Sequence, residues 1–389
     1  MFADAASSQP PPLTIYSSLP LHGGARPESV AIVKGARLAL EERGHQAGGH
    51  PIRYISLSDS VRWAGAWTPE RTLANALRAA RDRSAIAYIG EFNSGATAVS
   101  VRILNEVPLA QISPTNTAIG LTRGGPGTFG REPSMYYPDV RRHFVRLVAN
   151  DRVQGAALAG AMRDRGCRRI AAIHDGEVYG AGVGAYVRRW ARRLGLRVAM
   201  NRRVDSRASN YRPLAAVARR KRVNCTVFTG ITFNNAVRLF EDLGRALPRA
   251  RLFGSDGVAD RGFTDPRAGG IRAMLARRVF ISLSVLPPQA YPDAGRLMFE
   301  AYRRRYGDRN PDPYAIYGYE AMQLALDAVT AAGGNRRAVI GWLFSVRNRQ
   351  SVLGPYSIDR YGDTTRRDFG IYRIARGALR WADTVRAPG

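Results

Sequence analysis

Twice along this chain, short apolar strands alternate with longer amphipathic helices, and that alternation restricts the fold more than any other feature. The first series reads as strand Leu13 to Ser18, helix Val30 to Arg43, strand Ile52 to Leu57, helix Pro69 to Arg81, strand Ala85 to Ile89, helix Gly95 to Asn105 and strand Val107 to Ile112. The second opens with helix Asp151 to Arg165 and strand Arg169 to His174. It continues as helix Gly180 to Leu194, strand Arg197 to Val204, helix Tyr211 to Lys221, strand Thr226 to Thr229, helix Asn234 to Leu243 and strand Arg251 to Phe253. Strands joined through helices pair in parallel, with helices on both faces of the sheet. Two such series describe two doubly wound lobes. Because open α/β sheets bind ligands beyond the carboxyl ends of their strands, facing lobes create a cleft.

The remainder contains strand Val279 to Ser284, helices Ala290 to Tyr306, Pro313 to Ala332 and Asn335 to Phe344, and extended stretches at Ser357 to Asp359 and Gly370 to Ala375. A late helix pair followed by strands completes both lobes if the chain crosses between them more than once. The expected division is therefore 13–133 plus 285–355 for the N-terminal lobe and 134–284 plus 356–389 for the C-terminal lobe, joined by a hinge several strands wide. Residues 1–12 are rich in Ala, Ser and Pro, with no basic start or apolar centre, and read as a flexible tail and no signal peptide. An exported protein whose leader has been removed starts the same way.

The charge invites a different function before the pattern removes it. A formal net charge of +28 suggests nucleic acid or an anionic membrane surface. Yet Lys34 and Lys221 are the only lysines among the 59 basic residues, a skew that fits an arginine-rich codon usage. The arginines also spread over helix faces such as Arg188, Arg189, Arg192 and Arg193, as solvated surface does, and no nucleic-acid motif accompanies them. No apolar run approaches the roughly 20 residues of a membrane helix. The two cysteines, Cys167 and Cys225, each precede a strand; they are read either as two buried free thiols or as a disulfide suited to an oxidising compartment.

Site chemistry concentrates at Ile89-Gly90-Glu91-Phe92-Asn93-Ser94-Gly95-Ala96-Thr97, where a strand breaks into small polar residues that open a helix. Unpaired first-turn N–H groups and the positive end of the helix dipole make such a turn an anion site. Ser94 adds a hydroxyl, while Thr97 reads as a cap. A second strand ends in Ser113-Pro114-Thr115-Asn116-Thr117, so neighbouring turns converge on one small carboxylate. No metal is expected, since the histidines lack ligand spacing and no C-x-x-C occurs. Gly124-Gly125-Pro126-Gly127 lacks the Lys-Ser/Thr of a phosphate loop and reads as a crossing loop. Without a nucleophile elbow or a base-nucleophile pair, the chain is not expected to be an enzyme, and no cofactor is called for.

Several of these segments, in this order, resemble the periplasmic branched-chain amino acid binding proteins of ABC transporters, the type I solute-binding proteins. They are Gly35-Ala36-Arg37-Leu38-Ala39, the Ile89 to Thr97 turn, Ile112 to Thr117, His174-Asp175-Gly176-Glu177-Val178-Tyr179-Gly180 and Gly254-Ser255-Asp256-Gly257. Tyr314-Ala315-Ile316-Tyr317-Gly318-Tyr319-Glu320-Ala321 and Val352-Leu353-Gly354-Pro355-Tyr356-Ser357-Ile358-Asp359 complete the set. The resemblance implies a periplasmic binding protein type I fold, with two Rossmann-like lobes that close about a hinge. It assigns the ligand carboxylate to Ser94 and Thr117, with Asn93 and Asn116 beside them, and a backbone carbonyl at Thr115 to the ammonium. Tyr179 then closes over the amino acid, and Asp256 is the acidic partner of the ammonium.

Departures from that pattern fall where a side chain would be read. Thr232, with Phe233 next to it, stands where the family has a tyrosine, and Glu28 where it has an aromatic residue. The loop Ser60 to Trp67 is longer than usual and carries Trp63 and Trp67. These changes point away from a leucine slot and toward a larger or more polar ligand, including an aromatic acid stacked on a tryptophan. The expectation is a monomeric, secreted or lipid-anchored solute-binding protein, periplasmic or extracellular. It would bind an amino acid or related small carboxylate, a Leu/Ile/Val-binding protein-like role, and deliver it to a membrane permease of an ABC transporter without contacting nucleic acid. The alternative is a ligand-sensing regulator of the same fold, responding to an amide or amino acid.

Overall fold

The alternation in the sequence becomes two separate, mostly parallel sheets in the computed structural model, which describes residues 10–63, 65–139 and 141–387. The first sheet contains β1 (Leu13–Leu19), β2 (Gln46–Ala47), β3 (His50–Ser58), β4 (Ala85–Gly90), β5 (Ala110–Ser113) and β6 (Phe144–Arg146), in the order β2-β3-β1-β4-β5-β6. Only the β2–β3 pair is antiparallel. Its connecting helices are α1 (Arg26–Glu42), α2 (Pro69–Arg81) and α3 (Ser94–Glu106). The ends of α2 follow directly from sequence. Thr68 accepts from Arg71 N at 3.3 Å and Pro69 occupies a first-turn position where no N–H is needed.

The second sheet runs β13-β12-β11-β10-β9-β7-β8. Its parallel part is β7 (Arg169–His174), β8 (Arg197–Arg203), β9 (Cys225–Thr229), β10 (Arg251–Gly254) and β11 (Val279–Leu283), with α4 (Asp151–Asp164), α5 (Val178–Arg193), α6 (Arg212–Arg220) and α7 (Ala236–Ala246) between and around them. Short helices α8 (Arg261–Thr264) and α9 (Ala273–Ala276) follow β10. The chain then builds α10 (Asp293–Tyr306), α11 (Ala315–Ala332) and α12 (Arg336–Ser345) before returning as the antiparallel strands β12 (Asp368–Ala375) and β13 (Ala378–Arg386).

The late helices belong with the first sheet. Helix α11 lies close against α1: a Cβ on Gly35 would sit 2.0 Å from the Ala315 carbonyl oxygen, and one on Gly318 would sit 2.0 Å from that of Ile32. Glycine at both positions is what lets the helices meet. The chain crosses between sheets after β6, after β11 and between α12 and β12, so the connection is several segments wide.

Two details depart from the sequence reading. Strand β6 pairs in parallel with β5 (Ile112 opposite Val145), so the first sheet extends past 133, where the crossing was expected. The edge strand β13 was not anticipated, because Arg380-Trp381-Ala382-Asp383-Thr384 is mostly exposed and lacks an apolar face.

Register aligns the strand ends that matter. Ser18 lies opposite Gly90 and Ile89 opposite Ile112 in the first sheet; His174 lies opposite Thr229 and Phe228 opposite Gly254 in the second. The turns after β4 and β5 are thereby neighbours, as are those after β7, β9 and β10.

Cys167 and Cys225 form a disulfide between residues 58 positions apart, with Cα atoms separated by 5.6 Å. Of the two readings of these thiols, the bridged one holds, because β7 and β9 are adjacent in the sheet and Cys167, just before β7, lies at the same end as Cys225, the first residue of β9. Closing a loop of this length restricts the unfolded chain. A Cys167→Ser/Cys225→Ser double variant is expected to lose about 2–4 kcal/mol in chemical denaturation while retaining the wild-type far-UV circular dichroism spectrum.

Candidate functional site

Strand ends of both sheets face one another across a cavity of about 230 Å³. The first lobe contributes the segment after β1 (Pro20, His22, Ala25), Glu28 in the first turn of α1, Trp67, and the turn after β4 (Phe92, Asn93). The second contributes Ile231, Thr232 and Phe233 after β9 and Asp256, Ala259 and Asp260 after β10. Tyr314, immediately before α11, closes one wall, its ring centroid 5.9 Å from that of Phe92.

On the first-lobe side, α3 begins at Ser94 with Asn93 as its N-cap, and no side chain caps that end. Its first-turn N–H groups and dipole are therefore free to meet an anion. The turn is held from behind. Thr115 Oγ1 donates to the Phe92 carbonyl at 2.8 Å, and Asn116 Nδ2 donates to the carbonyls of Phe92 at 2.8 Å and Glu91 at 3.1 Å. Thr97 Oγ1 accepts from Glu91 N at 3.2 Å and donates to Asn116 Oδ1, so it ties the two turns together and is not the cap expected of it.

Ser94 Oγ accepts from Ala118 N at 3.3 Å. The Thr117 hydroxyl is buried without a partner, while its carbonyl accepts from Asp151 N at 2.7 Å and so links the lobes. Trp67 lies over Gly95, where a Cβ would approach its ring to 2.7 Å.

On the second-lobe side the polar centre is Asp256. Tyr179 donates its hydroxyl to Asp256 Oδ1, and Gln154 Nε2 donates to the same oxygen at 2.9 Å. Burial raises the Asp256 carboxyl above its usual range, an effect that the Tyr179 and Gln154 hydrogen bonds only partly offset. The Tyr179 phenol is pushed up by burial and by the charge of Asp256, so it remains a donor. Asp260 is likewise raised by burial, and Glu28 well above its usual range by burial together with Asp312 and Asp260. Carboxyls in this state are desolvated groups without a cation.

The sequence-derived residues thus divide into distinct positions. Glu28, Trp67, Asn93, Thr232, Phe233 and Asp256 line the cavity. Ser94, Thr115, Asn116, Thr117 and Tyr179 are buried just behind its wall, where they hold the turns and the Asp256 carboxylate. Trp63 does not join them: it is 85% exposed, so only Trp67 of the pair enters the cleft. Residue spacing within a long loop does not set the direction of either ring.

His22, Phe92, Ile231, Asp260 and Tyr314 were not singled out. His22 and Ile231 follow β1 and β9, and Asp260 follows Asp256 in the segment after β10. Applying the strand-end rule to every strand would have found them. Among the described residues no group of His, Cys, Asp or Glu is arranged to hold a metal ion.

Comparison with known proteins agrees with this architecture. The family model for the periplasmic binding protein matches residues 13–378. The chain is 25% identical to a protein named amino acid binding protein from Pseudomonas aeruginosa, over 87% of this chain and 84% of that one. It shares its fold with a leucine binding protein from Thermotoga maritima, with a TM-score of 0.80, 21% identity and coverage of 96% and 98% of the two chains. A solute-binding protein from R. palustris in complex with benzoate superposes with a TM-score of 0.73 at 18% identity, covering 97% of each chain. With both lobes, their crossings and the interlobe cavity inside the matched region, the chain belongs to the periplasmic binding protein family.

Proposed function

We propose that this protein is the extracytoplasmic solute-binding component of an ABC importer, and that it holds an amino acid or a related small carboxylate between its lobes. The observation that carries this reading is the opposition of an uncapped helix N-terminus at Asn93-Ser94 on one wall and the Asp256 carboxylate on the other. The first is complementary to a carboxylate and the second to an ammonium, so a zwitterion fits in one orientation. Relatives named for amino acid and leucine binding support the amino acid, and the benzoate complex supports the wider class of small carboxylates.

No catalytic role is part of the proposal. The protein acts by shape: a ligand touching both lobes favours the closed arrangement by its differential affinity, and a membrane permease reads that arrangement. In this reading the first sheet, β6 included, moves with α10 to α12 against the second sheet. We place the protein outside the cytoplasm, periplasmic or extracellular, as a monomer. The Cys167–Cys225 disulfide suits an oxidising compartment, and among the described residues no helix is long and apolar enough to cross a membrane.

Calorimetry with the twenty amino acids and benzoate, on the wild type and on Ser94→Ala, tests the carboxylate half of the site. The variant loses the hydroxyl behind the α3 turn that accepts from Ala118 N, and every carboxylate that binds should weaken by about 10-fold. Equal affinities in the two proteins would remove Ser94 from the site.

A further inference from the structure

The interior of the cleft has the opposite charge to the rest of the molecule. The chain carries a formal charge of +28, yet the cavity wall contains three carboxylates, Glu28, Asp256 and Asp260, and among the described residues no lysine or arginine. One carboxylate suffices for the ammonium of a zwitterion. Two remain without an assigned counter-charge.

Their placement is specific. Glu28 projects from the first turn of α1 in the first lobe and is only 7% exposed, and its Oε2 is buried without a hydrogen-bond partner. Asp260 comes from the second lobe and approaches the same region: a Cβ on Gly24, just before α1, would lie 3.3 Å from Asp260 Oδ1. Asp260 also caps α8 by accepting from Phe263 N at 3.2 Å. The Thr232 hydroxyl and the Gly262 N–H also bear on this carboxyl, and none of these groups carries a charge. Asp312, outside the cavity wall, adds a third negative group close enough to act on Glu28. Around these acids stand aromatic faces, Trp67, Phe92, Phe233 and Tyr314, the surroundings in which a desolvated cation is held well.

We propose that the cleft selects an amino acid with a cationic side chain, its distal charge bridging Glu28 of one lobe and Asp260 of the other. This deepens the amino-acid reading and rests on it. Without ligand, Glu28 and Asp260 disfavour each other's ionised form, and that repulsion is relieved by a bound proton or by a cation. A cation between them converts that repulsion into an attraction in both directions, so the same group that is recognised also drives the lobes together. An apolar side chain leaves both carboxyls desolvated without a counter-charge, which counts against leucine.

Calorimetry with L-arginine, L-lysine, L-leucine and L-phenylalanine on the wild type, Glu28→Gln and Asp260→Asn tests this. Arginine or lysine should bind the wild type at least about 10-fold more tightly than leucine or phenylalanine. Each variant should weaken the basic amino acid by about 10- to 100-fold while leucine, relieved of one desolvated carboxyl, binds at least as tightly as to the wild type, which also reports that the variant is folded. Asn preserves the α8 cap, so Asp260→Asn is a second route if Glu28→Gln fails to fold.

Leucine or phenylalanine binding as tightly as both basic amino acids would overturn the inference. So would an equal loss for basic and apolar ligands in both variants. If none of the four binds while benzoate does, the amino-acid reading itself fails, a result distinct from either of these.

Discussion

Asp256→Asn is expected to weaken amino-acid binding by roughly 30-fold to a few thousand-fold, corresponding to about 2–5 kcal/mol for removing one partner of a buried, hydrogen-bonded charge pair. The change keeps the size of the side chain and an oxygen to accept from Tyr179 or Gln154, so the loss reports charge and not packing. Benzoate, which carries no ammonium, provides the internal control: if it binds the wild type, its affinity should be unchanged or improved in the variant. Acidification gives a second signature. Burial raises the Asp256 carboxyl above the usual range, and an ammonium binds the ionised form. Wild-type affinity for an amino acid should therefore fall as the pH drops, beginning above the ordinary aspartate value of about 4. The Asp256→Asn protein lacks that component of the dependence. Isothermal titration across the pH range, wild type against variant, separates it from the titration of Glu28, Asp260 and Asp151.

Asp363→Asn is expected to produce the largest loss of stability. The Asp363 carboxylate lies in the segment crossing back to the second sheet and gathers groups from the first lobe and the crossing after β6. Arg146 Nε is 2.9 Å from Oδ1 as a charge contact, and Arg123 Nε donates to Oδ2 at 2.8 Å. Thr122 Oγ1 and Asn150 Nδ2 each donate at 2.9 Å. The Arg146 side chain is fully buried, and its other partners are the neutral Asn116 carbonyl and Thr122 hydroxyl. Removing the negative charge therefore leaves a buried guanidinium uncompensated, at a cost of about 3–5 kcal/mol.

For a chain of this length that corresponds to a fall of about 5 °C in the thermal midpoint, measurable by calorimetry or circular dichroism. The pH dependence has a definite sign. Burial alone would raise this carboxyl, but Arg146 and Arg123 outweigh it and hold it below its usual value. Its stabilisation is complete above the unfolded-state value of about 4 and is lost as pH falls through the lower folded-state value. The deficit of Asp363→Asn should accordingly be full at neutral pH and shrink toward zero in strong acid. A variant with wild-type stability at pH 7 would show that Arg146 finds its compensation elsewhere.

Sequence alone made some parts of this molecule legible and left others out of reach. Helix α2 was placed to the residue because Thr68 and Pro69 start it with local chemistry that needs no tertiary context. The parallel strands β4, β7 and β10 were found because both faces are covered and the apolar run is continuous. Strand β6 spans only Phe144–Arg146 and includes a buried arginine, so no pattern marks it; its pairing with β5 makes it a strand.

The site divides in the same way. Asn93 was assigned to the cleft from its strand-end position, and Thr232 and Asp256 through the family resemblance; all three line it. Whether a side chain continues into the cavity is a separate matter, settled by hydrogen bonds between turns distant in sequence. Thr115 and Asn116 turn back to the Glu91 and Phe92 carbonyls for that reason. Glu28, named from its departure from the family pattern, also lines the cavity and is buried, although a glutamate in the first turn of a helix ordinarily faces water.

The central claim is a single orientation of a zwitterion, carboxylate toward α3 and ammonium toward Asp256. A crystal structure with the tightest-binding member of the amino-acid panel tests it most directly. The expected result places the ligand carboxylate about 3 Å from first-turn N–H groups of α3 and the ammonium about 3 Å from an Asp256 oxygen, with both lobes touching the ligand. A ligand bound with these ends exchanged, or seated outside the cleft, would contradict it.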